Sequence, residues 1–318
     1  MPHSVAWPTK TREIHNVVFD SSVWNDFRFR DDDIVIATWA KSGTTWTQQF
    51  VAQLLFSGEE GLEVAEMSPW LDLRVPPKEA KIAGVEAQTH RRFIKTHLPV
   101  DALVYSPRAK YIFVGRDGRD VAWSFYNHWE KANAAFYEVL NNAPGRVGPP
   151  IGRPPESAHR YFVEEWLDDV RRDDALSIGQ ALSSFWHTTR SWWAIRGLPN
   201  ILVLHYANMK ADLPVAVRQI ASFLDIEIDQ SRWPRILKHC SFEYMKVNAT
   251  GTVPLGGVFW DGGAQTFIHR GVNGRWRDSL SDAESLRYER IAERELGPDC
   301  AHWLRTGSGL TNTAEFRQ

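Results

Sequence analysis

IVIATWAKSGTTW, residues 34 to 46, joins an apolar strand to the start of a helix within a few residues. Ile34 to Thr38 is a short run rich in β-branched residues, set directly after the acidic cluster Asp31, Asp32 and Asp33. It reads as a central strand of a parallel sheet, buried on both faces. Lys41, Ser42 and Gly43 form the turn, and Thr44 or Thr45 supplies an N-cap hydroxyl to a helix whose apolar positions Trp46, Phe50, Val51, Leu54 and Leu55 recur at helical spacing. Such a junction aims free backbone N–H groups, the positive end of a helix dipole and a lysine at one point, where a phosphate or sulfate fits. The plainer reading is a solvated lysine in an ordinary turn. The order is not that of a Walker A loop: the lysine precedes the Ser-Gly pair, and no glycine stands five positions before Gly43.

Outward from this stretch, the totals narrow the class. A chain of 318 residues can bury a full core, and one α/β domain across residues 1–318 is expected. A formal charge of −2 argues against bulk neutralisation of nucleic acid, while a local basic pocket fits it. Cys240 and Cys300 make no disulfide framework and no CxxC pair, so a reducing compartment without structural zinc is the default. The N-terminal segment has no signal-like apolar core, and no run approaches eighteen apolar residues, so a cytoplasmic protein with no integral membrane segment is expected. Fifteen tryptophans are many; most are expected in the core or under loops, and the aromatic excess suggests a pocket for flat or greasy ligands.

Three further strands are legible. Arg92 to Thr96 precedes His97 and Pro99, which places His97 at a strand end, the rim where open α/β sheets bind ligands. Tyr111 to Gly115 is followed by a helix capped by Asp117 or Asp120, carrying Val121, Phe125 and Trp129. Arg116 at the strand end and Ser124 one turn beyond Asp120 can converge on one phosphate; alternatively Arg116 pairs with Asp117 or Asp120 in a solvated turn. ILVLHY, 201 to 206, is a strand ending at Tyr206, after which Asp212 caps a helix with Pro214 in its first turn. The remainder reads as irregular structure over residues 1–30, a short helix including Lys78, amphipathic helices at 161–171 and 184–196, one helix beyond 281 that ends before Gly297, and a polar tail at 306–318. From 132 to 160 no regular element is expected, and NNAPGRVGPPIGRPPES, 141 to 157, with five prolines, reads as a mobile insertion over an acceptor site.

KSGTTW with its closing tryptophan resembles the 5′-phosphosulfate loop of the cytosolic sulfotransferases, although Trp39 and Ala40 stand where that family has Tyr-Pro. IKTHLP is similar to the family's catalytic segment, and Arg116, Asp120-Val and Ser124-Phe-Tyr resemble its 3′-phosphate motif. CSFEYMK, 240 to 246, resembles the segment that encloses the adenine, with Cys240 in place of threonine. FIHRGVNGRW, 267 to 276, resembles the closing glycine loop, with His269 replacing an arginine. The dimerisation motif KxxxTVxxxE survives only as Thr252 and Val253, with Asn248 and Gly257 at its charged positions, so oligomeric state is left open.

The resemblance implies a P-loop-like parallel sheet flanked by helices on both faces, and transfer of a sulfuryl group from 3′-phosphoadenosine 5′-phosphosulfate, leaving 3′-phosphoadenosine 5′-phosphate (PAP), with no metal. It implies that His97 takes the acceptor's proton, that Lys95 holds the transferring group and that Lys41 neutralises the leaving phosphate. Donor contacts are expected from Lys41, Ser42, Gly43, Thr44, Thr45, Trp46, Arg116, Ser124, Tyr206, Ser241, Phe242, His269, Arg270 and Gly271. Trp70, His128 and Trp129 would line the acceptor site, which takes a hydroxyl, or an amine, of an apolar or aromatic small molecule or lipid. A P-loop-type nucleotide kinase and a non-catalytic 3′-phosphonucleotide-binding protein are the competing readings. The first lacks the GK[ST] order and an evident Mg²⁺ aspartate, and the second has no use for Lys95 and His97 together.

Overall fold

β1 (Ile34–Thr38), β2 (Phe93–Thr96), β3 (Lys110–Gly115) and β4 (Ile201–His205) form one parallel sheet in the order β2-β1-β3-β4. Ile34 stands opposite both Phe93 and Lys110, and Tyr111 opposite Ile201. The structure, a computed structural model, describes residues 6–148, 150–167 and 183–310. Alternate side chains of each strand enter two different cores, which is why the strands read as unbroken apolar runs. Ile34, Ile36, Phe93, Ile112, Val114 and Leu204 pack against Phe50, Val51 and Leu54 of the helix Thr44–Leu55 and Val217 and Ile220 of the helix Leu213–Phe223. Val35, Ala37, Ile94, Tyr111, Phe113 and Val203 face the opposite way, onto Val121 and Phe125 of the helix Gly118–Glu130, Trp192 of Phe185–Ala194 and Trp303 of Pro298–Thr306. A smaller third cluster stands apart from the sheet: Ala132, Ala249, Val253, Trp260 and Ala264, with Phe136, Phe259 and Phe267 packed on it.

The sheet is also tied at its base. Buried Arg92 donates through Nε to Asp33 Oδ1 at 2.7 Å, joining the starts of β2 and β1. Asp117 caps its helix by accepting from the Arg119 backbone, and Asp212 does the same for Val215, as expected. Among the described residues no helix is long and apolar enough to cross a membrane.

Several expectations need correction. The helix after the first turn is capped by Gly43 at φ 112°, not by a threonine hydroxyl, because Thr44 Oγ1 is engaged with Thr38 Oγ1 at 2.6 Å. β4 stops at His205, and Tyr206 opens the short helix Tyr206–Ala211. The region 132–160 is not wholly irregular: Asn133 caps the helix Ala134–Asn142 through its side chain, burying Leu140. The proline-rich insertion is clamped by the Asn141 amide, which donates to Ile151 O and accepts from Ile151 N, and none of its described residues lines the main cavity. The N-terminal segment holds one short helix, Val23–Asp26. After Gly297 a second C-terminal helix, Pro298–Thr306, begins with a proline in its first turn. Residues 161–166 form a π-helical turn, while the rest of the expected 161–171 helix, and residues 311–318 of the expected tail, lie outside the described residues.

Candidate functional site

The first turn has the geometry an anion loop needs. Lys41 and Gly43 both adopt positive φ, 67° and 112°, which carries the chain sharply from β1 into the helix with its first amides unengaged by side-chain caps. Gly43 is required there for a second reason: a Cβ would lie 2.8 Å from Tyr206 Cδ2. His97 follows β2 on the same rim. Its Nδ1 donates to the Thr38 carbonyl at 2.8 Å and lies 3.2 Å from Thr38 Oγ1, which leaves Nε2 as the basic nitrogen of the ring.

Three cations converge beside it. Lys41 Nζ sits 3.5 Å from His128 Nδ1 and 4.4 Å from the Phe267 ring centroid. Burial lowers Lys41 to about 7, helped by the neighbouring charges of Arg116 and Lys95. Lys95 is lowered to about 8 by burial, against the pull of Asp72. His97 falls to about 3, through burial first and then Lys95, and His128 is held well below the usual imidazole range by burial and Lys41. Arg116 does not pair with Asp117, which is taken by Arg119 at 2.7 Å. Its Nη1 donates to Lys41 O at 2.9 Å, its Nη2 to Asn273 Oδ1 at 2.8 Å, and its guanidinium lies 4.3 Å from the Tyr206 ring. Among the described residues, none of Lys41, Lys95 and Arg116 forms a salt bridge.

Next to the cations is an aromatic slot. Trp46 is fixed by its Nε1, which donates to the Cys240 carbonyl at 2.7 Å, and it packs edge-on to Tyr206. Phe242 lies so close to the glycine loop that a Cβ at Gly271 would come within 2.8 Å of its ring. The loop is docked by Asp120 Oδ1, which accepts from Gly274 N at 2.7 Å, and by Lys246 Nζ, which donates to His269 O at 2.6 Å. Burial raises Asp120 to about 6 despite Arg116. His269 is lowered by burial and by Arg275 and Arg270.

All of this opens into one cavity of about 960 Å³. Lys41, Gly43, Thr44, Thr45, Trp46, Arg116, Ser124, Tyr206, Phe242, His269, Arg270 and Gly271 line one part. Trp70, Lys95, His97, His128 and Trp129 line the other, which continues into an apolar chamber with Val75, Phe136, Leu140 and Trp260. Two expected residues lie outside the lining. Ser42 is buried under the loop with its amide on Trp39 O, and Ser241 uses its hydroxyl to cap the next helix by accepting from Tyr244 N. Sequence reasoning missed Asn273 and Asp72, whose carboxylate meets Trp70 and His97. Asp120, read there as a cap or a partner of Arg116, instead docks the glycine loop through Gly274 N. The signal available for Asn273 was its place inside the glycine loop.

A parallel sheet with a positive-φ turn into a helix, an adjoining cluster of cations that form no salt bridge among the described residues and a histidine at the next strand end are features of a group transferase of the α/β class. The family model described as sulfotransferase domain matches residues 31–298. A glycolipid sulfotransferase of Mycobacterium bovis is 33% identical over 92% of this chain and 93% of its own length. Sulfotransferase 1B1 of Mus musculus is 29% identical over 85% of each chain. A crystal structure of a mouse sulfotransferase complexed with PAP shares the fold, with TM-score 0.67 at 21% identity, covering 89% of this chain and 92% of that one. The chain belongs to the sulfotransferase family and is an enzyme of that class, which sets aside the kinase reading.

Proposed function

We propose that this sulfotransferase uses 3′-phosphoadenosine 5′-phosphosulfate to sulfate a hydroxyl, or an amine, of an apolar or aromatic small molecule or lipid, in the cytoplasm, on a single domain spanning the chain. The observation that carries the reading is the set of three buried cations that form no salt bridge among the described residues and line one cavity together with aromatic and apolar side chains. Buried charges demand compensation, and a polyanionic nucleotide supplies it. The M. bovis relative is named for a glycolipid acceptor, and the mouse structure of the same fold holds PAP; both accord with the two ends of the cavity.

When bound, the donor supplies the sulfuryl group on its 5′-phosphate. Lys41 and the amides of Gly43, Thr44 and Thr45 hold that phosphate and absorb the charge that gathers on it. Arg116, Ser124, His269, Arg270 and the Gly271 amide grip the 3′-phosphate, and Trp46, Tyr206 and Phe242 enclose the adenine. Lys95 orients the transferring group. His97 Nε2 takes the proton of the acceptor hydroxyl as attack proceeds in line. At about 3 the imidazole is neutral at pH 7, which a base requires, but it is weak. Lys95 and Lys41 are two of the causes of that depression, so anionic charge against them strengthens the base when the site is loaded.

Titration with PAP, adenosine 5′-phosphate and ATP, without metal and followed by tryptophan fluorescence, tests the donor site. Preference for the 3′-phosphorylated ligand is expected, and equal binding of all three overturns it. His97→Ala should retain PAP binding and lose transfer; retained transfer removes His97 from the role of base, and a protein that binds PAP but never transfers is the non-catalytic alternative.

A further inference from the structure

Asp72 is fully buried next to the site and belongs to no motif. Its two oxygens face different ways. Oδ1 accepts from Trp24 Nε1 at 3.2 Å, toward the N-terminal segment. Oδ2 accepts from Trp70 Nε1 at 2.7 Å and from the His97 backbone N–H at 3.3 Å, toward the cavity. The Thr96 side chain also hydrogen-bonds the carboxyl. Burial pushes the Asp72 carboxyl above its usual range, and these donors oppose that by favouring the ionised form, which accepts and cannot donate.

The segment around Asp72 is held from behind as well. Lys95 N donates to Pro69 O at 3.1 Å and Leu71 N to Lys95 O at 3.4 Å, so residues 69–71 pair along the free edge of β2. Lys81 Nζ donates to Leu71 O at 2.6 Å and also to Leu73 O, one carbonyl on each side of Asp72. With the backbone fixed, the Oδ2 contacts decide how the Trp70 indole meets His97: the rings lie edge to face, centroids 4.7 Å apart at 78°.

We infer that Asp72 is a positioning residue for sulfuryl transfer, its Oδ2 holding the Trp70 indole and the His97 backbone as one unit so that acceptor wall and proton-accepting imidazole keep a fixed geometry. This rests on the function proposed above. It separates the two oxygens by role: the Oδ2 side serves transfer, and the Oδ1 side anchors the N-terminal segment.

The test compares Asp72→Asn, Trp70→Phe, their double variant and Trp24→Phe, using 2-naphthol as acceptor probe for kcat and KM and fluorescence titration for PAP affinity. Asp72→Asn and Trp70→Phe should each lower kcat about tenfold, the loss expected when a charged hydrogen bond is made only in the correctly ordered site. The double variant should fall no further than Asp72→Asn, and PAP affinity should stay within about twofold in all of them. Trp24→Phe should lower the melting temperature and leave kcat in place. An unchanged kcat in Asp72→Asn, multiplying losses in the double variant, or an equal loss in Trp24→Phe would overturn the inference. If the parent protein binds PAP without sulfating 2-naphthol, that phenol is not an acceptor, and only a failure to bind PAP counts against the function reading. The ¹⁵N-labelled His97 ring then decides for Asp72: its titration must move in Asp72→Asn and hold in Trp24→Phe, and an unmoved ring overturns the assignment.

Discussion

Raising the pH from 7 to 9 should weaken PAP binding while stabilising the protein on its own. Lys41 stands at about 7 and Lys95 at about 8, both lowered chiefly by burial. At pH 8, roughly a tenth of the molecules hold the Lys41 proton and about half hold that of Lys95. A phosphate against both lysines favours their charged forms, so binding at pH 8 should take up about one to one and a half protons. From Lys41 alone, affinity should fall about fiftyfold between pH 7 and 9, a window in which the ligand's phosphates are already ionised. Stability takes the opposite sign. A lysine whose folded value lies below its unfolded one binds fewer protons in the folded state, so the unfolded chain loses that advantage as pH climbs toward 10.5. Melting temperature without ligand should therefore rise across the same window, for a gain of up to a few kcal/mol from the two lysines. Calorimetry of PAP binding at pH 8 in two buffers of different ionisation enthalpy measures the proton uptake directly. Zero uptake together with a dissociation constant flat from pH 7 to 9 would refute the reasoning, because it would mean that the two lysines are already charged before the phosphate arrives.

Gly43→Ala should cost about 2–3 kcal/mol in urea unfolding, from the positive φ and the close approach of Tyr206 Cδ2, and should weaken PAP binding as well; a neutral result would mean that the loop relaxes freely. Arg119 is buried between Trp276 and Tyr288 and pairs with Asp117 and Glu289. Arg119→Ala should cost about 3–5 kcal/mol by stranding the Asp117 carboxylate, and adding Asp117→Asn should restore part of that, measured as a double-mutant cycle. Cys240→Thr restores the residue usual in the family, but position 240 is wholly buried among apolar side chains and serves Trp46 through its carbonyl. We expect a loss of about 1–2 kcal/mol in stability and no gain in PAP affinity; more than twofold tighter binding would show that a hydroxyl there reaches the ligand.

The four strands could be read from the sequence because they are buried on both faces, which leaves short, mostly apolar runs that no solvent-facing alternation interrupts, with Lys95 and Thr96 of β2 among the polar exceptions. The turn from β1 into its helix was equally legible, as one local feature. Its cap was not, because Thr44 and Thr45 fit the propensity rule while the tertiary contact from Thr38 claims the Thr44 hydroxyl. The helix Ala134–Asn142 was hidden by the prolines that follow it, although Asn133 and the spacing of Phe136, Tyr137 and Leu140 carried the signal. Pro298 after Gly297 likewise marks a helix start rather than an end. Asp72 and Asn273 act on partners far along the chain, Trp24, His97 and Arg116; nothing local distinguishes Asp72 from a surface polar residue, and for Asn273 the one local sign is its place in the glycine loop.

The third hydrophobic cluster bears on how such an enzyme can diversify. Trp260, Phe136 and Phe267 belong to it, and the same three side chains line the main cavity, while no strand residue takes part. A substitution among them reshapes the cavity at the expense of a small local core and leaves the sheet register in place, while at Phe267 it also changes the ring that Lys41 stands against. This part of the cavity wall can therefore change shape without moving a strand, and Phe267 is the one of the three through which such a change also reaches Lys41.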